Sequence, residues 1–492
     1  MGEIRKLLVA NRGEIAVRIF RTARDLGIKT VAVYSDADKL SLHRLLADES
    51  YYLGPPEPAK SYLNAERIVK IAVSAGADAV HPGYGFLSQN PSFARMVIEE
   101  GLIWVGPKPE TMKLVGDKLG ARKFFSSKGI PVVPGAFEAV DFNSALSIAE
   151  EIGFPVIVKP AGGGGGIGMF VAHTPEDLEK NLEKARQLAG SAFARTEVYV
   201  EKYFPRAKHI EVQILGDKRG RVVHLFEREC SVQRRYQKVV EEAPSPSLTQ
   251  EEREKLLSAA VKAAEACGYE NAGTFEFLFD VESRNFYFLE VNSRIQVEHP
   301  VTELVTGLDI VKLQLTVAEG GEIPFRQGEV QLRGHAIEAR VYAEDPSSGF
   351  IPSPGRITYL REPAGPWVRV DSGVYEGFEV PPFYDPLLMK VVSWGQDREE
   401  ARTRLLRALN ELRISGVKHN KYLIVRVLED ARFRDASYTT RLLEDPAFYE
   451  NLLSEDPAPD AERRIVQAQE GGEKGERTRI NAWRVLARIH PG

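Results

Sequence analysis

One β-hairpin constrains the fold of this chain more than any other feature. Residues 274–281 and 285–292 are rich in aromatic and β-branched side chains and flank a short polar turn, a pattern typical of a hairpin. A turn centred between them pairs Glu276 with Glu290, Phe279 with Tyr287 and Val281 with Asn285. Directly opposed carboxylates destabilise a sheet, and a divalent cation bound by both would remove the repulsion. The hairpin therefore predicts a metal site, unless the two glutamates are unrelated residues on a solvated strand face.

Polar residues continue in strict alternation along and beyond the second strand. They are Glu290, Asn292, Arg294, Gln296 and Glu298. A fully extended row of this length would span roughly 26 Å at about 3.3 Å per residue, which is longer than one small ligand. We therefore predict that the chain bends after Asn292 and turns Arg294 and Glu298 toward the metal. A cation beside a carboxylate suits an anionic substrate that must also lose a proton.

Composition excludes several classes of protein. The chain has 492 residues, 43% hydrophobic and 27% charged, which is ordinary for a soluble protein of about three domains. A net charge of −5 gives no reason to expect nucleic acid or an anionic membrane as a partner. Cys230 and Cys267 are the only cysteines and lack metal-ligand spacing, so we expect a reducing, cytoplasmic location. We find no signal peptide and no apolar run of about 18 residues, and we expect no membrane partner.

The order of periodic patterns predicts the domain organisation. Residues 6–35 show the strand–helix–strand pattern of an α/β unit, and a glycine-rich loop, 81–86, follows a short apolar strand. The dinucleotide glycine fingerprint is missing at the first turn, so the pattern gives little support for NAD binding. The next part is mixed α+β, and the part after it is rich in strands. The predicted segments are 1–115, 116–334, 335–445 and a partly disordered tail, 446–492.

A second motif predicts phosphate binding. Residues 154–160 form an apolar strand ending in Lys159 and Pro160, and Ala161-Gly162-Gly163-Gly164-Gly165-Gly166-Ile167-Gly168-Met169 follows. Glycines let backbone N–H groups turn toward phosphate oxygens, and Lys159 adds a positive charge. The motif is not a P-loop, because the lysine precedes the glycines. A flexible linker is the alternative, but apolar strands on both sides favour a nucleotide-covering lid at about 133–204.

Other candidate residues are scattered around this motif. His209 and Glu211 would share one face of a strand, and Lys118 follows a Gly-Asp pair. A basic stretch contains Arg228, Arg234, Arg235 and Lys238. A solvated or nucleic-acid-binding patch is the alternative for this stretch, although Tyr236 is its only aromatic residue that could stack on a base.

Taken together, these segments resemble the biotin carboxylases, members of the ATP-grasp superfamily. The resemblance covers residues 3–445, and its most specific motifs are the glycine-rich loop and RIQVEHPVTE at 294–303. The other matching motifs are ANRGEIAVRI (10–19), HPGYGFLS (81–88), GDK (116–118), EKYF (201–204), HIEVQ (209–213), QRRYQKVVEEAP (233–244), GTFEFLF (273–279) and RGHAIEARVYAEDP (333–346).

The resemblance implies an N-terminal Rossmann-like domain, a central ATP-grasp domain with a glycine-rich lid, and a C-terminal biotin carboxylase domain. It implies that ATP contacts Lys118, Lys159, Gly165, Gly166, Glu201, Lys202, Phe204, His209 and Gln233. It implies that Mg²⁺ or Mn²⁺ binds Glu276, Glu290 and Asn292, and that bicarbonate binds Lys238, Arg294, Gln296 and Val297. Glu298 would be the base, and Arg340 would face the ureido oxygen of biotin. Lys238, Arg294, Glu298 and Arg340 would form the catalytic group.

The implied activity is the ATP- and bicarbonate-dependent carboxylation of biotin, through carboxyphosphate, with biotin borne by a separate carrier. The implied partners are a second copy of the chain in a homodimer, a biotin carboxyl carrier protein and a carboxyltransferase subunit. The downstream acceptor, an acyl-CoA or pyruvate, stays open. Another ATP-grasp ligase with an amine nucleophile, or a nucleotide-sensing subunit without catalysis, are the alternative functions.

Two positions depart from the family pattern, and a third bears on where biotin is attached. Tyr236 stands where the family usually has His, and Ile167 stands where many members have Arg. Lys390 follows a methionine, as a biotinylated lysine does, but it lies in an apolar strand and Val391 follows it. We therefore predict no covalent biotin on this chain.

Overall fold

Parallel strands and flanking helices form the N-terminal part of the protein. The structure, a computed structural model, describes residues 2–162, 168–193 and 196–454. The sheet has the order β3-β2-β1-β4-β5 with all neighbours parallel, as the α/β pattern predicts. The strands are β1 (Lys6–Val9), β2 (Lys29–Ser35), β3 (Glu49–Gly54), β4 (Ala79–His81) and β5 (Ile103–Trp104). The helices are α1 (Gly13–Asp25), α2 (Leu42–Leu46), α3 (Ala65–Ser74), α4 (Pro91–Glu99) and α5 (Pro109–Gly116).

Alternation along β1 explains why this sheet is covered on both faces. Leu7 and Val9 pack in the same buried cluster as Ile15 of α1. Leu8 points to the other face and packs with Ile68 of α3. A strand buried on both faces has a continuous apolar sequence, which is the pattern of residues 7–10.

A small antiparallel sheet flanks the glycine-rich loop. Its order is β7-β6-β8, and β6 ends at Pro160, beside Lys159. The elements of this part are α6 (Lys118–Ser127), α7 (Phe142–Ile152), β6 (Val156–Pro160), β7 (Phe170–Ala172), α8 (Pro175–Phe193) and β8 (Val198–Lys202). Strands on both sides of the loop are therefore confirmed. Gly165, Gly166 and Ile167 lie outside the described residues, and the lid stays a prediction.

An eight-stranded antiparallel sheet carries most of the candidate site. Its order is β13-β12-β9-β10-β11-β14-β21-β19, so it continues across the predicted segment boundary between 334 and 335. The strands of this sheet are β9 (Ala207–Gly216), β10 (Val222–Arg234), β11 (Gln237–Ala243), β12 (Asn271–Asp280), β13 (Phe286–Asn292), β14 (His335–Tyr342), β19 (Val368–Ser372) and β21 (Leu387–Gly395). Three two-stranded sheets pair β15 (Glu344–Asp345) with β16 (Ile351–Pro352), β17 (Gly355–Arg356) with β20 (Glu379–Val380), and β18 (Tyr359–Arg361) with β22 (Arg413–Ser415). The helices are α9 (Gln250–Ala266), α10 (His299–Thr306), α11 (Ile310–Ala318), α12 (Arg398–Glu411), α13 (Lys421–Glu429) and α14 (Ala431–Arg434).

Short helical turns connect several of these elements. They are 3-10 turns at Asp36–Asp38, Pro58–Lys60, Gln327–Glu329, Pro346–Ser348, Leu442–Glu444 and Pro446–Phe448. No helix among the described residues is long and apolar enough to cross a membrane. The predicted tail, 446–492, falls outside the described residues from 455 onward.

The hairpin β12–β13 confirms one predicted pair and corrects two. Glu276 lies directly opposite Glu290, as predicted. The predicted pairing of Phe279 with Tyr287 is wrong, because Phe279 pairs with Phe286 and Tyr287 pairs with Leu278. The predicted pair of Val281 and Asn285 lies in the turn, beyond the ends of both strands.

The chemistry of the turn explains the shift. The Asp280 carboxylate accepts hydrogen bonds from the backbone N–H and the hydroxyl of Ser283, and Arg284 has a φ of 61°. This local turn brings Asp280 opposite Asn285, one position away from the predicted register. A β-bulge at Leu289 on β13 absorbs the extra residue, so Glu276 and Glu290 face each other again.

Candidate active site

Four charged side chains form a row across the large sheet. Glu290 on β13 pairs in register with Glu276 on β12, Glu276 with Glu211 on β9, and Glu211 with Arg228 on β10. Arg228 and Glu211 are fully buried, and Arg228 Nε donates to Glu211 Oε1 at 2.6 Å. The Glu290 side chain is 41% exposed. The row therefore runs from the protein core to an edge that solvent and ligands can reach.

Lys238 on β11 is the cation at the centre of the site. Its Nζ donates to Glu211 Oε2 at 2.6 Å, to Glu298 Oε1 at 2.6 Å and to Glu276 Oε1 at 3.1 Å. Burial lowers the pKa of Lys238, but the acidic groups around it, Cys230 and the three glutamates, raise it well above its ordinary value. The alternative of a solvated or nucleic-acid-binding patch is wrong for Lys238 and Arg228, because Lys238 is bonded to three carboxylates and Arg228 is fully buried and bonded to Glu211.

The bend predicted after Asn292 is confirmed. Strand β13 ends at Asn292, and the chain then follows an irregular path to α10. Arg294 donates to Asn292 Oδ1 at 3.0 Å, to Gln296 Oε1 at 2.6 Å and to Gln89 Oε1 at 2.8 Å. Arg294 therefore lies across the bend instead of extending the row along the strand.

Glu298 lies at the start of α10, held between two cations. Its Oε1 accepts from Lys238 at 2.6 Å and its Oε2 accepts from Arg340 Nη2 at 2.9 Å. The residue is fully buried, which raises the pKa of Glu298, but Lys238, Arg340 and Arg228 together bring it well below the ordinary value. Glu298 is therefore an ionised carboxylate at neutral pH.

Arg340 on β14 connects Glu298 to a second pair of opposed carboxylates. Its Nε lies 2.5 Å from Glu241 Oε1, and Glu241 pairs directly with Glu338 across β11 and β14. Both glutamates are fully buried, and neither Glu338 oxygen has a hydrogen-bond partner among the described residues. Burial raises the pKa of Glu241 to about 7, despite Arg340, and raises the pKa of Glu338 well above its ordinary value. Arg340 therefore lies between two buried carboxyl groups, Glu298, whose pKa is lowered, and Glu241, whose pKa is raised.

The predicted nucleotide residues divide into two groups. Lys159 Nζ donates to Glu201 Oε2 at 2.5 Å, and Lys118 Nζ lies 3.5 Å from Glu290 Oε2. Lys118 therefore lies at the open end of the row, and Lys159 is close enough to Lys118 and Glu290 for both of their charges to act on it. Lys202 is occupied elsewhere, because its Nζ donates to the carbonyls of Gly153 and Phe154 at 2.9 and 3.1 Å.

The second group lies beside the carboxylate row. His209 Nε2 lies 3.1 Å from Glu276 Oε2, and Gln233 Nε2 lies 3.1 Å from His209 Nδ1. The ring of Phe204 stacks on Tyr287 with centroids 5.1 Å apart. Gln233 therefore contacts His209, which in turn contacts Glu276 of the carboxylate row. Phe204 packs against Tyr287 of strand β13.

Residues with carboxylate and amide groups lie together at the predicted metal site, where Asn292 turns its amide nitrogen to Glu276 and its Oδ1 to Arg294. Glu276 Oε1 accepts from Asn292 Nδ2 at 2.8 Å and from Gln296 Nε2 at 3.0 Å, so the amides of the bend are aimed at this carboxylate. Glu290 presents a half-exposed carboxylate opposite Glu276, with Lys118 nearby. Carboxylate and amide oxygens are the ligands that Mg²⁺ and Mn²⁺ prefer, so Glu276, Glu290 and Asn292 fit such an ion.

Sequence reasoning assigned no role in this site to four residues that belong to it. Arg122 is buried and contacts Glu201. The buried end of the row consists of Glu211 and Arg228, and Glu241 supports Arg340. Glu211 had a signal, because it shares a strand face with His209 and lies in an apolar strand. The others depend on contacts between strands and helices far apart in sequence, for which the chain carries no local pattern.

Three family models match most of the chain. Residues 3–112 match "Biotin carboxylase, N-terminal domain", residues 117–325 match "Carbamoyl-phosphate synthase L chain, ATP binding domain", and residues 338–445 match "Biotin carboxylase C-terminal domain". Among curated proteins, the chain is 48% identical over 442 residues to biotin carboxylase 1 of Bacillus subtilis, covering 90% of this chain and 98% of that protein. It is 50% identical over 441 residues to a pyruvate carboxylase subunit of Methanothermobacter thermautotrophicus, covering 89% of each chain.

Solved structures give the same result. The biotin carboxylase domain dimer of Hydrogenobacter thermophilus 2-oxoglutarate carboxylase, in complex with MgADP, ADP and bicarbonate, aligns with a TM-score of 0.88. The two sequences are 46% identical, and the alignment covers 92% of this chain and 99% of the Hydrogenobacter chain. Biotin carboxylase of Campylobacter jejuni, solved with a β,γ-ATP complex, aligns with a TM-score of 0.87 at 45% identity, covering 90% and 99% of the two chains.

Proposed function

Because the chain belongs to the biotin carboxylase family, it is an ATP-dependent enzyme that carboxylates biotin, and we propose that Glu298 is the base that removes the proton of bicarbonate. The observation that carries this proposal is the position of one buried, ionised carboxylate between Lys238 and Arg340. A base must be deprotonated before substrate arrives, and these two cations keep Glu298 in that form.

Bicarbonate would bind where Lys238 and Arg294 supply positive charge, with Gln296 and the backbone of Val297 completing the site. An anion placed here shares the cations that now neutralise Glu298. A nearby like charge and a weaker hold by Lys238 both raise the pKa of Glu298. Substrate binding therefore converts a carboxylate that holds no proton in the free enzyme into one that can accept it.

The nucleotide would lie at the open end of the carboxylate row. Lys118 and Lys159 are the cations at this end, and both are paired with glutamates that a phosphate can replace as their partner. Glu276, Glu290 and Asn292 would hold Mg²⁺ or Mn²⁺, which supplies positive charge to phosphate oxygens when bound. The same proposal includes ATP contacts by Gly165, Gly166, Glu201, Lys202, Phe204, His209 and Gln233. The structure gives least support to Lys202, because its Nζ already donates to two backbone carbonyls.

The reaction then proceeds without charge being lost or gained. Deprotonated bicarbonate attacks the γ-phosphate, ADP leaves, and the proton remains on Glu298 while carboxyphosphate forms. Carboxyphosphate breaks down to CO₂ and phosphate, the phosphate takes the proton from N1 of biotin, and N1 attacks CO₂. Glu298 then releases the bicarbonate proton to solvent and returns to its carboxylate form.

Arg340 would become available to biotin as a result of the first step. Its bond to Glu298 is charge-assisted and weakens when Glu298 is protonated. Glu241 keeps Arg340 in place, and a guanidinium freed on one side can bind the negative charge that develops on the ureido oxygen of biotin. Proton removal from bicarbonate and activation of biotin would thus be linked through one ion pair.

Biotin would be presented by a separate carrier protein. Relatives of this chain are subunits or domains of pyruvate and acyl-CoA carboxylases, and one similar structure is a dimer. We propose that this chain works as a homodimer with a biotin carboxyl carrier protein and a carboxyltransferase subunit. A cytoplasmic location stays a prediction that follows from its cysteine content.

The test is phosphate release from ATP, measured with and without bicarbonate and free biotin. We expect ATP cleavage that requires bicarbonate and rises with biotin. Cleavage that requires an amine in place of biotin would indicate a different ATP-grasp ligase. Nucleotide binding without bicarbonate-dependent phosphate release would indicate a sensing subunit.

A further inference from the structure

Lys390 lies in the middle of β21 and is completely buried. Its Nζ donates to the carbonyl of Val297 at 2.9 Å and lies 3.1 Å from Glu14 Oε2 and 3.7 Å from Asp371 Oδ2. A buried ammonium group is costly unless charges and hydrogen bonds compensate it. Lys390 is therefore fixed by partners from three different parts of the chain.

Glu14 connects this lysine to the loop 81–86, which follows strand β4 of the N-terminal sheet. It lies in the first turn of α1, and its Oε1 accepts from the hydroxyl of Tyr84 in the loop. Asn11 holds the same loop, because its Nδ2 donates to the carbonyls of Pro82, at 2.8 Å, and Tyr84. A continuous set of polar contacts thus runs from the loop through Glu14 to Lys390.

Val297 connects the lysine to the base. The peptide bond is planar, so a fixed Val297 carbonyl fixes the plane that joins Val297 to Glu298. The preceding peptide is held too, because His299 Nδ1 lies 2.8 Å from the carbonyl of Gln296. The backbone from which the Glu298 side chain starts is therefore set by two buried side chains that lie outside the segment 293–298.

We propose that Lys390 is a positioning residue that holds Glu298, through the Val297 carbonyl, in the geometry needed to take the bicarbonate proton. This role rests on the proposed function of Glu298 as the base. It also gives Glu14 and the loop around Tyr84 a role, because they hold the lysine against the segment that carries the base.

The test separates positioning from stability with two variants. Lys390→Met removes the charge and leaves Glu14 as an unpaired buried carboxylate, so it lowers both Tm and kcat. The double variant Lys390→Met/Glu14→Gln removes both charges, so Tm should return toward the wild-type value. We expect kcat for bicarbonate-dependent ATP cleavage to stay about 10- to 100-fold below wild type in both variants, because neither holds the Val297 carbonyl. The Kd for ADP, measured by calorimetry, should change by less than about twofold.

Lys421→Met is the matched control. Lys421 in α13 is also buried and its Nζ donates to a backbone carbonyl, that of Leu412, at 2.9 Å. This variant should lower Tm and leave kcat unchanged well below the Tm.

Three results would overturn the proposal: a wild-type kcat in Lys390→Met, a recovery of kcat together with Tm in the double variant, or an equal loss of kcat in Lys421→Met. If Lys390→Met fails to fold, the double variant decides alone. Wild-type enzyme without bicarbonate-dependent ATP cleavage would contradict the proposed function itself, which is a different outcome.

Discussion

Glu298 combines full burial with a strongly lowered pKa, and its role as the base can be tested by removing its charge alone. Glu298→Gln keeps the volume of the side chain but cannot accept the proton. We expect kcat/KM for bicarbonate to fall by about 10²–10⁴-fold, the usual contribution of a positioned base. The pH–rate profile should also lose the limb that reports protonation of Glu298. A variant with the wild-type pH–rate profile would contradict the assignment.

Glu290 differs from Glu298 because its side chain is 41% exposed, so its loss should spare the fold. Glu290→Gln weakens one ligand of the proposed metal site, and we expect ATP cleavage to be abolished at ordinary Mg²⁺ and partly restored when Mg²⁺ is raised. Calorimetry with Mn²⁺ should show weaker binding. Glu282→Gln, at an exposed glutamate in the turn of the same hairpin, is the control and should behave like wild type. If Glu290→Gln titrates Mg²⁺ like wild type, the opposed carboxylates do not form the metal site.

At this scale, the sequence predicted what depends on local geometry. Opposition of Glu276 and Glu290 follows from one hairpin, and the turn of Arg294 and Glu298 toward the site follows from a row too long for one ligand. Arg122 and Glu241 could not be predicted in this way. Arg122 contacts Glu201 from helix α6. Glu241 contacts Arg340 because β11 pairs with β14, and no local sequence pattern indicates this pairing.

Strand β11 shows how a single element serves two functions. Adjacent residues on a strand point to opposite faces. Glu241 contacts Arg340 in the site, whereas Glu242 accepts from His335 Nε2, Arg398 Nε and the Tyr438 hydroxyl, each at 2.6 Å. One face of β11 therefore contributes Glu241 to the proposed active site, and the other connects the strand to α12 and to the segment after α14.

This network predicts a pH-dependent stability. Burial raises the pKa of Glu242, but Arg398 and His335 bring it below its ordinary value. The ionised form is thus favoured by folding, so its stabilisation is present above the unfolded pKa of about 4.3 and is lost as pH falls below it. We expect Glu242→Gln to lower the free energy of unfolding at pH 7 by about 3–5 kcal/mol, with a smaller difference near pH 3. Denaturant unfolding across this range is the measurement.

The control for this prediction is Glu411→Gln in α12. Glu411 forms an exposed ion pair with Arg407 on the same helix, and such pairs contribute about 0–1 kcal/mol. A Glu242→Gln variant that loses no more stability than this control would show that the buried network does not stabilise the fold.

Register is the part of an element that sequence patterns predicted least well. The period-two pattern located β12 and β13, but the turn at Asp280 shifted their pairing by one residue and the bulge at Leu289 restored it. Both features depend on hydrogen bonds of a few side chains, whereas the strand pattern depends on many residues. Strands are therefore easier to predict than the pairs that they form.

At the scale of the molecule, one sheet unites parts that the sequence separates. Strands β11 and β14 pair although more than ninety residues lie between them, and this pairing places Arg340 beside Glu298. Lys390 adds a link from the same sheet to α1. Sequence patterns predicted the fold class of each part, but the joining of the parts follows from packing between distant strands. The chemistry of the site therefore depends on the assembly of the whole sheet.

Lys390 also bears on whether this chain can carry covalent biotin. Biotinylated lysines lie at an exposed hairpin tip between methionines, and the sequence contains two Met-Lys pairs, at Met112-Lys113 and Met389-Lys390. Lys113 lies within helix α5, and Lys390 is fully buried and bound to Val297 and Glu14. A biotin ligase has no hairpin tip to recognise at the first and cannot reach the second.

We therefore predict that the 492-residue polypeptide stays unmodified when it is produced together with a biotin ligase. Intact-mass measurement should give the mass of the sequence alone, while a biotin carrier domain treated in parallel gains biotin. The same preparation should carboxylate free biotin or the biotin of that carrier, because the site accepts the ring from outside the chain. Covalent biotin mapped to Lys113 or Lys390 would contradict the prediction, and at Lys390 it would also show that β21 opens to the enzyme that modifies it.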